Sequence, residues 1–294
     1  MLDIASATRP LIEADPSSFE VSYGRKPFTF GHRLVGHPLF EMDRLLELAE
    51  AMTHVPNGVV YNSSKVGIGQ RWDQTPEPQR SVIETLRDIE TADGWILLKR
   101  ADHVPEYRAL LESCLNEMEE AYGRKLDGLV KYRNCSIFIN SPNRITNYHV
   151  DREWNCLLQI RGTKRISVFD REDREVLTEE EIERFWTVDN NAAVWKPQFE
   201  DRAEVFELAP GTALHIPINA PHWVQNGPSV SVSMSANFHI HDSLLGYVYR
   251  TNYWLRRAGF RPTPPGRSKW VDAAKGNGYK TIRAIANRVR GRPQ

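Results

Sequence analysis

The chain has 294 residues, about 40% of them hydrophobic, and its 38 basic and 38 acidic side chains give a formal net charge of zero. Such a chain can bury a sizeable core, and a barrel of this length can still be one domain. Cys114, Cys135 and Cys156 form no CxxC pair and are odd in number, so neither a disulfide framework nor a cysteine zinc site is suggested; the sequence has no apolar run of about twenty residues and Met1 to Pro10 is unlike a signal peptide, so a cytoplasmic protein without a membrane partner is expected.

The first 125 residues alternate helix and loop. Leu45, Leu46, Leu48 and Ala49 recur at helical spacing within Leu39 to Met52, with Asp43 and Arg44 near the start. A second helix is expected from Pro76 to Ile89, capped by Thr75, because proline is tolerated in a first turn. Gly94 to Leu98 is an apolar run expected as a buried strand, with Trp95 in the core. Pro105 to Tyr122 reads as a long helix rich in Leu and Glu. Helices of this kind buttress one face of a sheet.

From residue 126 strands take over. Tyr132 to Ile139 predicts the first, and His149-Val150-Asp151 follows. On a strand, residues two apart point the same way, so His149 and Asp151 can face one cavity while Val150 faces away. Two imidazoles and one carboxylate hold an ion such as Fe(II) on one face and leave the opposite positions open. The second imidazole must come from elsewhere, and His222, in Ala220-Pro221-His222-Trp223, is the candidate.

H-x-D alone is a short pattern, and its surroundings give it weight. Trp154 to Ile160 reads as a strand, Arg161-Gly162-Thr163 as a tight turn and Lys164 to Phe169 as the returning strand. Leu177 to Trp186 is an acidic helix with a solvated face. Asp189, Asn190, Asn191 and Trp195 follow it as candidates to meet a basic substrate. Phe206 to Leu208, Ala213 to Pro217 and Val230 to Met234 add short strands punctuated by Gly and Pro, which suggests an all-β barrel or sandwich. His215 competes with His222 for the ligand role but reads better as a structural histidine.

Charge is uneven. Residues 251–294 hold 11 Lys and Arg against the single acid Asp272, a net of +10, which leaves the rest of the chain at −10. Ile282, Ile285 and Val289 fall at helical spacing between Lys275 and Arg292, beyond a Pro-rich joint at residues 262–266. A basic amphipathic segment can bind nucleic acid or another acidic partner, or dock on the acidic body of its own chain.

Thr146 to Phe169, taken with Pro210 to Phe238, resembles the cupin-like JmjC group of Fe(II)- and 2-oxoglutarate-dependent oxygenases, particularly asparaginyl hydroxylases of the factor-inhibiting-HIF type. About a third of the chain carries the likeness. It rests on Thr146 three residues before His149, Asn155 six after it, the Gly162-Thr163-Lys164-Arg165 turn with Lys164 fifteen after it, and Asn237-Phe238 starting fifteen residues beyond His222. The chain departs from the pattern at His215, where an apolar residue is usual, and at His239, where an aromatic is often found.

The resemblance implies a mostly β fold with flanking helices: a double-stranded β-helix (jelly roll) over residues 126–245, an N-terminal helical buttress over 1–125 and a basic helical extension over 246–294. It implies that His149, Asp151 and His222 bind Fe(II). Lys164 would pair with the distal carboxylate of 2-oxoglutarate, with Thr146 hydrogen-bonding nearby and Tyr132 adding a hydroxyl. Asn155 and Asn237 would support the end of the co-substrate that chelates the metal, and O2 would complete the set. A protein or peptide side chain is the expected substrate, hydroxylated with succinate and CO2 as co-products. The alternatives are a small-molecule hydroxylase of the same fold, a non-oxidative metal-binding cupin, and a regulator whose basic tail binds nucleic acid.

Overall fold

The computed structural model describes residues 9–123, 132–239 and 244–289. The N-terminal part runs β1 (Ile12–Glu13), α1 (Pro16–Ser22), β2 (Phe28–His32), α2 (Met42–Thr53), β3 (Val59–Asn62), α3 (Val82–Arg87), β4 (Trp95–Leu98) and α4 (Pro105–Tyr122). Then come β5 (Tyr132–Asn140), β6 (Ile145–His149), β7 (Trp154–Arg161), β8 (Lys164–Val168), α5 (Glu179–Thr187), β9 (Glu204–Leu208), β10 (Thr212–Ile216), β11 (His222–Asn226) and β12 (Ser231–His239). Two helices, α6 (Leu244–Arg257) and α7 (Lys269–Val289), follow.

The strands form an eight-stranded sheet, in the order β1-β2-β10-β7-β12-β5-β4-β3, and a four-stranded sheet, β6-β11-β8-β9. The described pairings are antiparallel. This is the mostly β, jelly-roll architecture with flanking helices that the sequence predicts.

Alternation along the central strands of the larger sheet divides core from cavity. Cys135, Ile137 and Ile139 of β5, Cys156, Leu158 and Ile160 of β7, and Met234, Ala236 and Phe238 of β12 belong to the main core. Against them pack Leu45, Leu48, Ala49 and Met52 of α2 and Leu111, Cys114, Leu115 and Met118 of α4, each set at the three- and four-residue spacing of one helix face. Residues of opposite parity, among them Ser136, Asn155, Leu157, Ser235 and Asn237, line the cavity between the two sheets. The helices thus cover one face of the sheet and leave the other for chemistry.

Helix boundaries follow local signals. α4 begins with Pro105 in its first turn and stops at Gly123, which adopts φ 67°. The helix expected from Pro76 starts instead at Val82, where Ser81 and Glu84 form a reciprocal capping box. Pro78 disfavours helical backbone at Glu77, so Thr75 and Pro76 cannot start a continuous helix.

The described part of the basic extension, residues 246–289, folds back on its own chain. Arg256 of α6 clamps Glu183 of α5 at 2.7 and 2.9 Å, and Glu183 is 0% exposed. Trp186 of α5 stacks on Tyr249 of α6 at 6.2 Å. From α7, Arg283 reaches the Tyr247 hydroxyl and Lys275 donates to the Thr263 carbonyl. We expect Arg256→Ala to strand a buried carboxylate and cost about 3 kcal/mol, read as a fall of several degrees in Tm. A Tm within a degree of the wild type would show that Glu183 does not depend on this pair. Among the described residues no helix is long and apolar enough to cross a membrane.

Candidate active site

A cavity of about 640 Å3 opens between the two sheets. The larger sheet supplies Trp95 from β4, Asn134, Ser136 and Phe138 from β5, Asn155 and Leu157 from β7, Ile216 from β10, and Ser235 and Asn237 from β12; the smaller supplies Thr146, His149, Lys164, His222 and Val224. The cavity therefore collects His149, Asp151, His222, Thr146, Asn155, Lys164 and Asn237. For Tyr132 the structure places the backbone at the start of β5, but its side chain, like that of His239, lies outside the described residues.

His149 and His222 stand directly opposite each other in the β6–β11 pair. Their ring centroids are 4.2 Å apart. β6 ends at His149, so Asp151 is not on the same strand as the extended reading supposed. It lies just beyond, where the chain leaves the sheet, and its carbonyl accepts from Asn219 N–H at 3.0 Å. The carboxylate still turns back: Asp151 Oδ2 is 3.7 Å from His222 Nε2, and donor atoms of all three residues lie within 4.8 Å of one another.

Hydrogen bonds select the tautomer of both imidazoles. His149 Nδ1 lies 2.6 Å from the Asn147 carbonyl oxygen and His222 Nδ1 2.9 Å from that of Ala220. A carbonyl can only accept, so each Nδ1 carries a proton and Nε2 is the ring atom left to face a ligand. Burial, reinforced by the neighbouring His149, pushes His222 down to about 4, which keeps it neutral at ordinary pH. Two imidazoles and one carboxylate at this spacing suit a single divalent ion with open positions.

Lys164 supplies the second unusual feature. It is 3% exposed, and among the described residues it has no carboxylate partner. Its Nζ lies 5.9 Å from the centroid of the Phe138 ring. With the Asn140 amide oriented to satisfy both neighbours, its oxygen accepts from Nζ at 3.1 Å. One neutral acceptor does not offset burial, which pushes the ammonium down to about 7. The preceding turn brings Lys164 here: Gly162 adopts φ 69°, and a Cβ there would sit 2.5 Å from the Val230 carbonyl oxygen, so only glycine serves.

A polar row faces the metal residues from the larger sheet. Asn237 pairs with Asn134 on one side and Asn155 on the other, so three asparagines share one level across β5, β12 and β7. Ser235 Oγ lies 2.8 Å from Asn155 Oδ1 and 2.7 Å from Asn237 Oδ1, while Asn237 Nδ2 donates to Asn134 Oδ1 at 2.9 Å. With a single proton the Ser235 hydroxyl donates to one of these two oxygens at a time, and the Asn237–Asn134 bond fixes the neighbouring amide.

The other candidates lie elsewhere. His215 is fully buried, accepts from Gly24 N–H at 2.9 Å and stacks on Tyr23 at 4.5 Å, a structural role. Asp189 is engaged by Arg71 and Arg184, Asn190 by Arg152, and Trp195 Nε1 by Glu200. Asn190, Asn191 and Trp195 border only a small hollow beside His149. Trp95, read as core, lines the cavity instead, as do Asn134, Ser136, Ser235 and Trp72, none of which the motif spacing singles out. For Asn134, Ser136 and Ser235 the signal is strand parity shared with Asn237.

The sequence matches the family described as cupin-like domain over residues 72–243, more than half of the chain. No protein of curated function matches it in sequence. Among solved structures, Escherichia coli YcfD is similar at a TM-score of 0.53 and 16% identity, with 92% of this chain and 68% of that one covered. Two further structures of that protein, described as a ribosomal oxygenase, one of them in complex with cobalt and succinic acid, align at 17% identity and a TM-score of 0.49, over 92% of this chain and 67% of theirs. Identity this low speaks to shared fold, and the family match carries the assignment: the chain belongs to the cupin-like domain family.

Proposed function

We propose that the protein is an Fe(II)- and 2-oxoglutarate-dependent oxygenase that hydroxylates a protein or peptide side chain. The observation that carries this reading is Lys164, a buried cation without a carboxylate partner among the described residues, in the same cavity as His149, Asp151 and His222. An unpaired buried charge is costly, and a dicarboxylate that reaches the metal with one end and Lys164 with the other offsets that cost.

Fe(II), with 2-oxoglutarate and O2, supplies the oxidising power to convert C–H to C–OH, with succinate and CO2 as co-products. The chain's own residues bind and orient. His149, Asp151 and His222 hold the metal from one side; the Lys164 ammonium and the Thr146 hydroxyl take the distal carboxylate. Asn155 and Asn237, beside Ser235, orient the chelating end. Phe138, Leu157, Ile216 and Val224 line the cavity with apolar surface, which excludes water around the co-substrate. The cavity wall also includes the exposed Val60 and Lys99, so a side chain carried on a larger molecule can enter there.

The test begins with the co-substrate. Full-length protein with Fe(II) and 2-oxoglutarate in air is expected to release succinate, and a peptide screen by mass spectrometry should find a product heavier by one oxygen atom. Absence of both 2-oxoglutarate binding and succinate release would refute the reading.

A further inference from the structure

Trp95 is 4% exposed, and its Nε1–H donates to Thr146 Oγ1 at 3.1 Å. Trp95 stands on β4 of the larger sheet and Thr146 on β6 of the smaller, so the bond joins the two sheets at the cavity wall. The indole is held by Trp72, whose ring centroid is 4.9 Å away, and by Phe138 at 6.0 Å. A hydroxyl has one proton to donate and two lone pairs, whereas an indole N–H can only donate. With Trp95 on one lone pair, the Thr146 proton must point elsewhere. Among the described residues no protein acceptor takes it, and the cavity it faces also contains Lys164.

We propose that Trp95 is a positioning residue for the co-substrate: by donating to Thr146 it commits the threonine hydroxyl to donating to the anion that Lys164 neutralises. The inference rests on the 2-oxoglutarate reading above. It assigns chemical work to a residue that lies far from the metal motif in sequence, on a strand that looks apolar throughout. Without the indole N–H, the Thr146 hydroxyl rotates freely, and its donation to a carboxylate is no longer favoured over other orientations.

The test is anaerobic calorimetric titration of 2-oxoglutarate into the Fe(II)-loaded full chain, for the wild type, Trp95→Phe, Thr146→Val and the double variant. Trp95→Phe keeps an aromatic ring and loses the donor; it is expected to weaken binding about five- to tenfold, the worth of one charge-assisted hydrogen bond in part. In the Thr146→Val background the same change should add almost nothing. Affinity for 2-oxobutyrate, which has the keto acid but no distal carboxylate, should be unaffected by Trp95→Phe. An unchanged 2-oxoglutarate affinity in Trp95→Phe would overturn the proposal. So would a penalty that persists in the Thr146→Val background, or an equal loss for both ligands, since either marks the indole as packing alone. If the wild type itself binds no 2-oxoglutarate, the functional reading falls and takes this inference with it.

Discussion

Asp151→Ala is expected to cut succinate release by more than about 100-fold and to lower Fe(II) retention on dialysis, with the fold intact. Changes one layer out from a metal typically cost 10- to 100-fold, and losing a direct charged ligand exceeds that. Asp151 is the one oxygen ligand of the triad, and His222, neutral through burial, offers no negative charge in its place. Asp151 lies outside the strand and is about 30% exposed at its side chain, so truncation removes little packing. His215→Ala makes the informative contrast. That imidazole is buried against Tyr23 and bonded to Gly24, so its loss should lower Tm by several degrees while metal content at low temperature stays near the wild-type level. Full 2-oxoglutarate decarboxylation by Asp151→Ala would remove Asp151 from the ligand set, and loss of metal from a folded His215→Ala would reopen the choice of ligand.

The parts of this site legible in the sequence are those written in short-range pattern. His149 and Asp151 are two residues apart and Lys164 follows a tight glycine turn, so local geometry marks each of them; the hairpin expected across that turn does not form, because β7 pairs within the larger sheet and β8 within the smaller, and the turn is the chain's passage from one sheet to the other. The long helix α4 and the acidic helix α5 are equally plain from periodicity and caps. What the sequence hides is register between distant strands. Asn134, Asn155 and Asn237 come to one level only because β12 lies between β5 and β7, a pairing set by the closure of the whole jelly roll. Trp95 misleads for a different reason: Trp95-Ile96-Leu97-Leu98 is apolar at every position, so parity cannot tell the core face from the cavity face. Asp151 shows the opposite limit, since the chain leaves the sheet after His149 and the carboxylate reaches the metal site from a loop.

Lys164→Met should stabilise the free protein while destroying its affinity for 2-oxoglutarate. Burial lowers the Lys164 pKa from 10.5 to about 7 in the folded chain. Between those two values the unfolded chain binds a proton that the folded chain releases, so the stability contributed by this group rises with pH across the window. The penalty is fully present below about 7 and gone above about 10.5. At its largest it is on the order of 5 kcal/mol. Methionine fills similar space without charge, so the variant's gain in Tm should be greatest near pH 6 to 7, several degrees on the usual scaling, and should shrink towards pH 10. With metal and saturating 2-oxoglutarate the order reverses. Ligand at 100 times its Kd stabilises the wild type by about 2.7 kcal/mol, whereas the variant should show no shift. Because the carboxylate needs a protonated partner, wild-type affinity for 2-oxoglutarate should also weaken as pH rises above about 7. Thermal melts from pH 6 to 10, with and without 2-oxoglutarate, check all of this at once. A Lys164→Met protein less stable than the wild type at pH 6, yet still stabilised by 2-oxoglutarate, would show that Lys164 is a structural cation and that the co-substrate anchors elsewhere.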